Sequence, residues 1–200
     1  MSTSRLVLLT LGSNIDPLRN VVAAIREIDT ALGIVGVSRA YDAEPVDAPG
    51  TPTYLNAAVA VETDLDPDHL KHEVLRPVET RLGRRRTDDP NAPRTIDIDI
   101  AIAGDLVVTG SDGELEIPDP AIERHAHLAL PLRDLAPDFR HPALGRSLSA
   151  IAAALEPGGT VVARDDLDLS VAVRRRPEGG RAGSLESSRA AVPHVVDNER

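Results

Sequence analysis

Four short hydrophobic runs are spaced along the first half of the chain. They cover residues 6–11, 34–41, 54–63 and 96–103, and each has the length and composition of a buried strand. Gly12 follows the first run and is expected to end that strand. The pattern therefore predicts four strands.

Two segments between these runs have helical spacing instead. Each starts with Asp-Pro, at 16–17 and at 66–67, which is typical of an N-cap followed by proline at the first helical position. Apolar residues then recur every three or four positions from Leu18 to Leu32. The second segment is expected to be helical over 69–82, with a kink at Pro77.

The predicted order β-α-β-β-α-β is typical of an α+β, ferredoxin-like fold, in which two helices pack on one face of an antiparallel sheet. The other face must then be covered or used for binding. Residues 105–155 are expected to add further structure, including a helix over Leu148–Leu155. We expect one domain over 1–160 and a C-terminal extension over 161–200, largely disordered from about residue 174.

The composition narrows the class of protein. The chain has 32 acidic and 22 basic residues, and its net charge of −10 disfavours a general nucleic-acid binder, whose surface would be basic. The absence of cysteine excludes disulfides and thiolate sites. The first apolar run is too short for a signal peptide or a membrane span. We expect a cytoplasmic monomer that binds neither nucleic acid nor a membrane.

Two carboxylates interrupt the fourth hydrophobic run. Asp97 and Asp99 are separated by one residue, so in a strand both side chains lie on the same face. The opposite face, toward the helices, is expected to carry Ile96, Ile98, Ile100 and Ile102. Neighbouring carboxylates repel each other unless cations compensate them, and the candidates are arginines or a hard metal ion. The alternative is a solvated sheet face on which the aspartates pair with Arg94.

Arginines are concentrated just before this pair. Arg84, Arg85, Arg86 and Arg94 lie within a short stretch of an otherwise acidic chain whose only lysine is Lys71. Paired carboxylates beside clustered arginines are the groups that a Mg²⁺-dependent phosphoryl-transfer site requires. The metal bridges phosphate oxygens there, and the arginines neutralise the developing charge.

Four stretches together resemble the 6-hydroxymethyl-7,8-dihydropterin pyrophosphokinase family. They are LGSN at 11–14, YLNAAV at 54–59, ETRLGRRR at 79–86 and APRTIDIDI at 92–100. A weaker fifth stretch covers 117–132, and the resemblance extends over about residues 5–155. PRT-x-D-x-D is a rather specific signature, and the combination is stronger than any one stretch. The family's ferredoxin-like fold agrees with the topology inferred above.

The resemblance implies transfer of the β,γ-diphosphate of ATP to the hydroxymethyl group of a reduced pterin, with release of AMP, in folate biosynthesis. It implies that Asp97 and Asp99 bind two Mg²⁺ ions and act in catalysis with Arg84 and Arg94. ATP would contact Glu79, Arg84, Arg86, Arg94 and Ile100. The pterin would contact Ala43, Val46, Tyr54, Asn56 and His127. We also expect residues 83–93 to form a loop that closes over ATP.

The chain departs from the family pattern at several positions. Pro90 and Asn91 replace a basic residue and a tryptophan, and Asp119 replaces a histidine. His125 and His127 stand where an arginine and a phenylalanine are usual. The phosphate-binding residues are therefore better preserved than the pterin-binding ones. Two alternatives stay open: a divergent paralogue acting on another pterin or heterocyclic alcohol, and a non-catalytic ferredoxin-like ligand-binding domain.

Overall fold

The hydrophobic runs pair into one antiparallel sheet. The computed structural model describes residues 4–44, 52–85, 92–109, 115–155 and 161–174. Within these residues the sheet consists of β1 (Arg5–Ser13), β2 (Ile34–Val37), β3 (Tyr41–Ala43), β4 (Tyr54–Thr63), β5 (Asp97–Ala103) and β8 (Val161–Ala163). A separate two-stranded sheet pairs β6 (Val108–Thr109) with β7 (Glu116–Ile117).

The strand order in the main sheet is β5-β1-β4-β3-β8, and β2 also pairs with β4. Every pairing in it is antiparallel. The N-terminal β-α-β-β-α-β order places β1 and β4 at the centre, as in a ferredoxin-like sheet. The predicted α+β, ferredoxin-like fold is confirmed.

The second hydrophobic run does not form one strand over 34–41. It divides into β2 and β3, and both halves pair with β4. At the break, the Oγ of Ser38 accepts the backbone N–H of Ala58 at 2.8 Å, and the N–H of Ser38 donates to the carbonyl of Ala58 at 2.9 Å. A side-chain hydroxyl therefore replaces one backbone hydrogen bond between the strands. The hydrophobicity of the run does not reveal this replacement.

The first helix, α1 (Pro17–Leu32), has the predicted bounds but starts differently. Asp16 adopts a left-handed conformation with φ 42°, and within the described part of the chain its side chain caps no backbone N–H. Leu18 is exposed and does not join the core. β1 continues through Gly12 to Ser13, so Gly12 lies inside the strand and does not end it.

The second helix contains a widened turn before its proline. α2 (Pro67–His69) continues into a π-helical turn (Leu70–Leu75) and then into α3 (Arg76–Arg81). Proline cannot donate a helical hydrogen bond, and its ring crowds the preceding turn. The helix accommodates Pro77 by widening that turn. The kink at Pro77 stays a prediction.

Helices cover both faces of the sheet. On one face α1 and the helix ending in α3 bury Val21, Ile25, Ile28, Leu70, Leu75 and Val78 against the strands. The other face is covered by α4 (Ala126–Leu135), α5 (Leu148–Leu155) and the 3₁₀ helix Pro120–Glu123. The helix predicted over Leu148–Leu155 is confirmed. Among the helices that the structure describes, none is both long and apolar enough to cross a membrane.

A β-bulge changes the direction of the isoleucines in β5. Leu8 of β1 pairs with Ile102, whereas Leu9 pairs with Ile100, so Ala101 is the extra residue. Ile96, Ile98 and Ile100 face α1 as predicted. The prediction was wrong for Ile102, which packs with Leu8 on the α4 face.

Residues after 160 add to the same sheet. β8 pairs with β3, and Leu169 and Ala172, from the 3₁₀ helix Leu169–Ala172, are buried in the core on the α1 face. The domain boundary at residue 160 stays a prediction. The tail predicted to be disordered lies almost wholly in residues 175–200, outside the described residues.

Candidate active site

A cavity of about 270 Å³ lies on the sheet face that α4 covers. Its volume is close to the lower end of the roughly 300–1,000 Å³ typical of small-molecule sites. The described lining includes seven of the predicted site residues: Ala43, Tyr54, Asn56, Arg94, Asp97, Asp99 and His127. The structure thus brings together side chains from β3, β4, β5, the loop before β5, and α4.

One end of the cavity is formed by β4. Tyr54 and Asn56 line it, while the alternate residues Leu55 and Ala57 are buried on the α1 face, as period-two alternation predicts. Asn56 is only 5% exposed, and its Nδ2 donates to the carbonyl of Tyr54 at 3.3 Å. This end presents an amide and an aromatic ring, groups that suit a flat heterocycle.

The other end of the cavity carries the carboxylates of β5. Asp97 is opposite Gly12 in the β1–β5 ladder, and Asp99 is opposite Thr10. Gly12 is also opposite Asn56 in the β1–β4 ladder. Gly12 therefore separates the amide end from the carboxylate end, and its lack of a side chain leaves the floor between them open.

Two arginines contact Asp97 from opposite sides. Arg94 Nη1 donates to Oδ2 of Asp97, and Arg84 Nη2 lies 3.6 Å from Oδ1. Gly83, with φ 81°, ends the helix in a left-handed conformation, and the N–H of Arg84 then donates to the carbonyl of Glu79 at 2.9 Å. This turn directs Arg84 back toward β5. Its Nε is buried and has no hydrogen-bond partner among the described residues.

The LGSN stretch positions the second arginine. The side-chain Oδ1 of Asn14 accepts the backbone N–H of Arg94 at 2.7 Å, and the Asn14 N–H donates to the Arg94 carbonyl at 3.2 Å. Ser13 Oγ donates to the carbonyl of Thr95. The Arg94 guanidinium lies over the Tyr54 ring, with 5.9 Å from Cζ to the ring centroid. The end of β1 thereby holds the loop that leads into β5.

Sequence reasoning missed the cation that contacts Asp99. Lys71, in the π turn, donates from Nζ to Oδ1 of Asp99 at 2.5 Å and to the carbonyl of Ile98 at 3.3 Å. The available signal was that Lys71 is the only lysine in an arginine-rich chain. No local pattern links position 71 to position 99, because the contact depends on how the helix packs on β5.

Three described residues expected to contact ATP lie outside the cavity lining: Arg84, which instead contacts Asp97, and Glu79 and Ile100. Glu79 is 2% exposed, and its Oε1 accepts the backbone N–H of Ile98 at 2.9 Å, so it joins α3 to β5. The Ile100 side chain is buried in the core on the α1 face, opposite to the face of Asp97 and Asp99. Val46 and Arg86 fall outside the described residues, as does most of the loop predicted over 83–93.

α4 contributes His127 to the cavity wall. Burial, and to a lesser extent the charge of neighbouring His125, lowers the pKa of His127 to about 4. The ring is therefore neutral near pH 7 and offers an uncharged face. The two histidine rings lie with their centroids 5.3 Å apart and tilted by 31°.

Besides Glu44, Asp97 and Asp99, the described lining includes the carboxyl group of Asp119, which sequence reasoning noted only as a departure from the family. Its Oδ1 accepts the backbone N–H of Ala121 at 2.8 Å and so caps the following 3₁₀ helix. Burial raises the pKa of Asp119, and the charge of Asp99 raises it further, against the opposing effect of the Ala121 hydrogen bond.

Asp97 and Asp99 are suited to bind a Mg²⁺ ion whose remaining ligands are water molecules and phosphate oxygens. Mg²⁺ prefers oxygen ligands and is commonly held by one or two carboxylates together with substrate phosphates. Within the described ranges, no group of three or more His, Cys, Asp or Glu side chains could hold a metal by itself. Asp97 and Asp99 supply oxygen donors, and the arginines beside them suit the phosphates that would complete the coordination.

The comparison with known families decides the classification. Residues 8–137 match the family model described as 7,8-dihydro-6-hydroxymethylpterin-pyrophosphokinase. The chain belongs to this family. The matched residues include most of β1 together with β4, β5 and α4, all of which line the cavity described above. They also include the helix that carries Lys71.

Curated members of the family align over most of the chain. A 2-amino-4-hydroxy-6-hydroxymethyldihydropteridine pyrophosphokinase of Porphyromonas gingivalis is 33% identical over 141 residues, which cover 68% of this chain and 94% of the relative. The protein of that name from Pseudomonas aeruginosa is 33% identical over 151 residues, which cover 74% of this chain and 90% of the relative. A folic acid synthesis protein of Dictyostelium discoideum is 32% identical, covering 79% of this chain. This chain spans only 24% of the Dictyostelium protein.

A solved structure supports the fold. The wild-type HPPK-DHPS protein of Plasmodium falciparum superposes with a TM-score of 0.60 at 14% sequence identity. The superposition covers 80% of this chain and 47% of that one. At this identity the likeness speaks for the fold alone, and it agrees with the ferredoxin-like arrangement described above.

Proposed function

We propose that this chain transfers the β,γ-diphosphate of ATP to the hydroxymethyl group of 6-hydroxymethyl-7,8-dihydropterin and releases AMP. The observation that carries the proposal is the arrangement of one cavity: an amide and an aromatic ring at one end, and a carboxylate pair flanked by arginines at the other. The names of the family and of its curated members support the same reaction. The reaction belongs to the folate pathway, as the name of the Dictyostelium relative, a folic acid synthesis protein, indicates.

The β4 end is suited to hold the pterin. The amide of Asn56 offers both donors and an acceptor to the edge of a fused heterocycle, and Tyr54 offers a flat face. His127 is neutral near pH 7 and supplies a second ring on the α4 side. Because these side chains are fixed on regular elements, the pterin hydroxyl is held toward the carboxylate end rather than free to rotate.

The β5 end is suited to hold the phosphates. Arg84 and Arg94 can donate to phosphate oxygens in place of Asp97, and the buried Nε of Arg84 offers a further donor. Asp97 and Asp99 would hold Mg²⁺, which would neutralise phosphate charge and stabilise the charge that develops in the transition state.

The reaction exchanges one phosphorus–oxygen bond for another. The hydroxymethyl oxygen of the pterin forms a bond to the β-phosphorus, and the bond from that phosphorus to the α-phosphate oxygen breaks. AMP leaves with the bridging oxygen, and the hydroxyl proton is released. The chain's own contribution is to align the two substrates and to surround the transferring group with cations.

The test is to measure AMP formation by the full chain with ATP and Mg²⁺, with and without 6-hydroxymethyl-7,8-dihydropterin. We expect AMP and pterin diphosphate to form in equal amounts, and only when the pterin is present. If AMP forms with another pterin or heterocyclic alcohol but not with 6-hydroxymethyl-7,8-dihydropterin, the result would favour a divergent paralogue. Binding of either ligand without AMP formation would favour a non-catalytic domain.

A further inference from the structure

The ammonium group of Lys71 is buried against one of the two carboxylates. The Lys71 side chain is 10% exposed, whereas that of Asp99 is 47% exposed. Nζ donates to Asp99 Oδ1 and to the carbonyl of Ile98. A buried ammonium is costly unless it is paired and hydrogen-bonded, and these two acceptors offset that cost.

The π turn determines where Lys71 lies. The N–H of Arg76 donates to the carbonyl of Lys71, five residues earlier, in the widened turn that precedes Pro77. Leu70 and Leu75, in the same turn, are buried in the core, so this turn is packed tightly against the sheet. Widened helical turns often occur at functional sites, and this one brings a cation to β5.

With Lys71 included, both carboxylates already contact cations before any ligand binds. Arg84 and Arg94 contact Asp97, and Lys71 contacts Asp99. Three cations thus contact the carboxylate pair, while the carboxyl groups of Glu44 and Asp119 also line the cavity. Each of the three cations favours binding of a polyphosphate and opposes binding of a free divalent cation at the pair.

We infer that Lys71 is a positioning residue that holds Oδ1 of Asp99, leaves Oδ2 for the metal, and weakens divalent-cation binding when no nucleotide is present. The inference rests on the proposed role of Asp97 and Asp99 as metal ligands. Its consequence is that the metal site is completed by the nucleotide phosphates, whose charge compensates the three cations.

The experiment is a Mn²⁺ titration of the full chain, followed by electron paramagnetic resonance, without ATP or pterin. Lys71→Met keeps the aliphatic stem and removes the charge. We expect it to tighten Mn²⁺ binding by about thirtyfold, the effect of a unit charge about 4 Å from a doubly charged ion in a water-like dielectric. Arg81→Met is the matched control, because Arg81 lies on the same helix and pairs with Glu27 at 2.8 Å instead of with the carboxylate pair.

Three further variants separate this inference from a general charge effect or a folding defect. In an Asp99→Asn background, which lacks the carboxylate that Lys71 holds, the effect of Lys71→Met on the Mn²⁺ affinity should differ from its effect in the wild type, and the difference measures the coupling between the two residues. Lys71→Arg retains the cation and should bind Mn²⁺ like the wild type. Lys71→Gln removes the charge while keeping a donor, and it replaces Lys71→Met if circular dichroism shows that the methionine variant is unfolded.

The inference is overturned if both uncharged variants bind Mn²⁺ within twofold of the wild type, or if Arg81→Met has an equal effect. The titration uses neither substrate, so it can succeed even if the chain transfers no diphosphate to a pterin. Conversely, a chain that makes AMP as proposed but shows no effect of Lys71 would contradict this inference alone.

Discussion

Gly12 and Asn56 are directly opposite each other in the β1–β4 ladder, and a Cβ atom on Gly12 would stand 3.3 Å from Oδ1 of Asn56. The same Cβ would lie 3.9 Å from the Tyr54 ring. The glycine thus leaves space at the point where two neighbouring strands present the groups proposed to bind the pterin.

Gly12→Ala should weaken pterin binding several-fold while leaving ATP binding nearly unchanged. The added methyl group crowds the Asn56 amide, and the contact is too short for the side chain to keep its present position. Calorimetry with the pterin and an ATP analogue measures both affinities. Gly36→Ala is the matched control, because its Cβ would meet only the end of the Leu135 side chain, at 3.2 Å, and the Cβ of Ala60. Equal pterin affinity in Gly12→Ala and the wild type would contradict the proposal that the pterin binds over Gly12.

Asn56→Ala should reduce pterin affinity by about 1–3 kcal/mol, the usual cost of leaving a buried polar group of the complex without its partner. Because Asn56 lies at the end of the cavity away from the carboxylates, nucleotide binding should change little. The measurement is pterin binding to the chain loaded with an ATP analogue. No pterin binding by the wild-type chain under these conditions would direct the search to another acceptor.

Asp97→Asn and Asp99→Asn should each lower turnover by about two orders of magnitude or more, as expected when a charge-stabilising group is lost from a phosphoryl-transfer site. The melting temperature should fall, because Asp97→Asn removes the ion pairs with two arginines and Asp99→Asn leaves the buried ammonium of Lys71 without its counter-charge, so turnover is measured well below the melting temperature of each variant. Asp105→Asn makes the same chemical change at an exposed turn beyond the far end of β5, and it should keep wild-type activity. Near-normal turnover in either site variant would reject its role as a metal ligand.

Glu79→Ala should lower the free energy of unfolding by about 1–3 kcal/mol, because it leaves the buried N–H of Ile98 without its side-chain acceptor. Glu79→Gln retains a carbonyl oxygen and should lose less. Glu73→Ala removes the same charge from an exposed position on the same helix and should be close to neutral. Chemical denaturation measures all three. If Glu79→Ala has the unfolding free energy of the wild type but no longer binds ATP, Glu79 contacts the nucleotide as the sequence predicted.

The lowered pKa of His127 predicts a pH-dependent contribution to stability. Between its ordinary pKa of 6.5 and about 4, the unfolded chain binds a proton at this histidine that the folded chain excludes. The unfolding free energy should therefore fall as the pH falls from 6.5 toward 4 and be independent of this group above 6.5.

His127→Gln should reduce that slope, measured as melting temperature between pH 4 and 7. His141, whose pKa is also lowered by burial, retains its own contribution in this variant. His69→Gln, at an exposed position, is the control. An unchanged slope in His127→Gln would mean that the ring is protonated in the folded chain like a solvent-exposed histidine.

Local periodicity was sufficient to identify the framework. The alternation in 54–63 predicts both the limits of β4 and the common face of Tyr54 and Asn56, because neighbouring side chains in a strand must point to opposite sides. The same rule places Asp97 and Asp99 together on one face of β5. These features depend only on residues close in the chain, and the sequence by itself determined them.

Other features depend on contacts between distant segments. The bulge at Ala101 turns the Ile102 side chain to the other sheet face because β5 must stay in register with β1. At the break between β2 and β3, the Ser38 hydroxyl replaces one backbone hydrogen bond to β4. Gly12 was expected to end a strand, since a sequence does not show what stands opposite a glycine. Neither strand partners nor register can be read from hydrophobicity alone.

The charges at the site show the same division. The sequence by itself determined that two carboxylates share a face and that arginines precede them, which is why a phosphate site could be predicted. Only the tertiary structure decided which cation meets which carboxylate: Arg84 and Arg94 at Asp97, and Lys71 at Asp99. The reason is physical, because a side-chain ion pair forms within about 4 Å, and that distance between residues 71 and 99 is set by the packing of a helix turn on a strand.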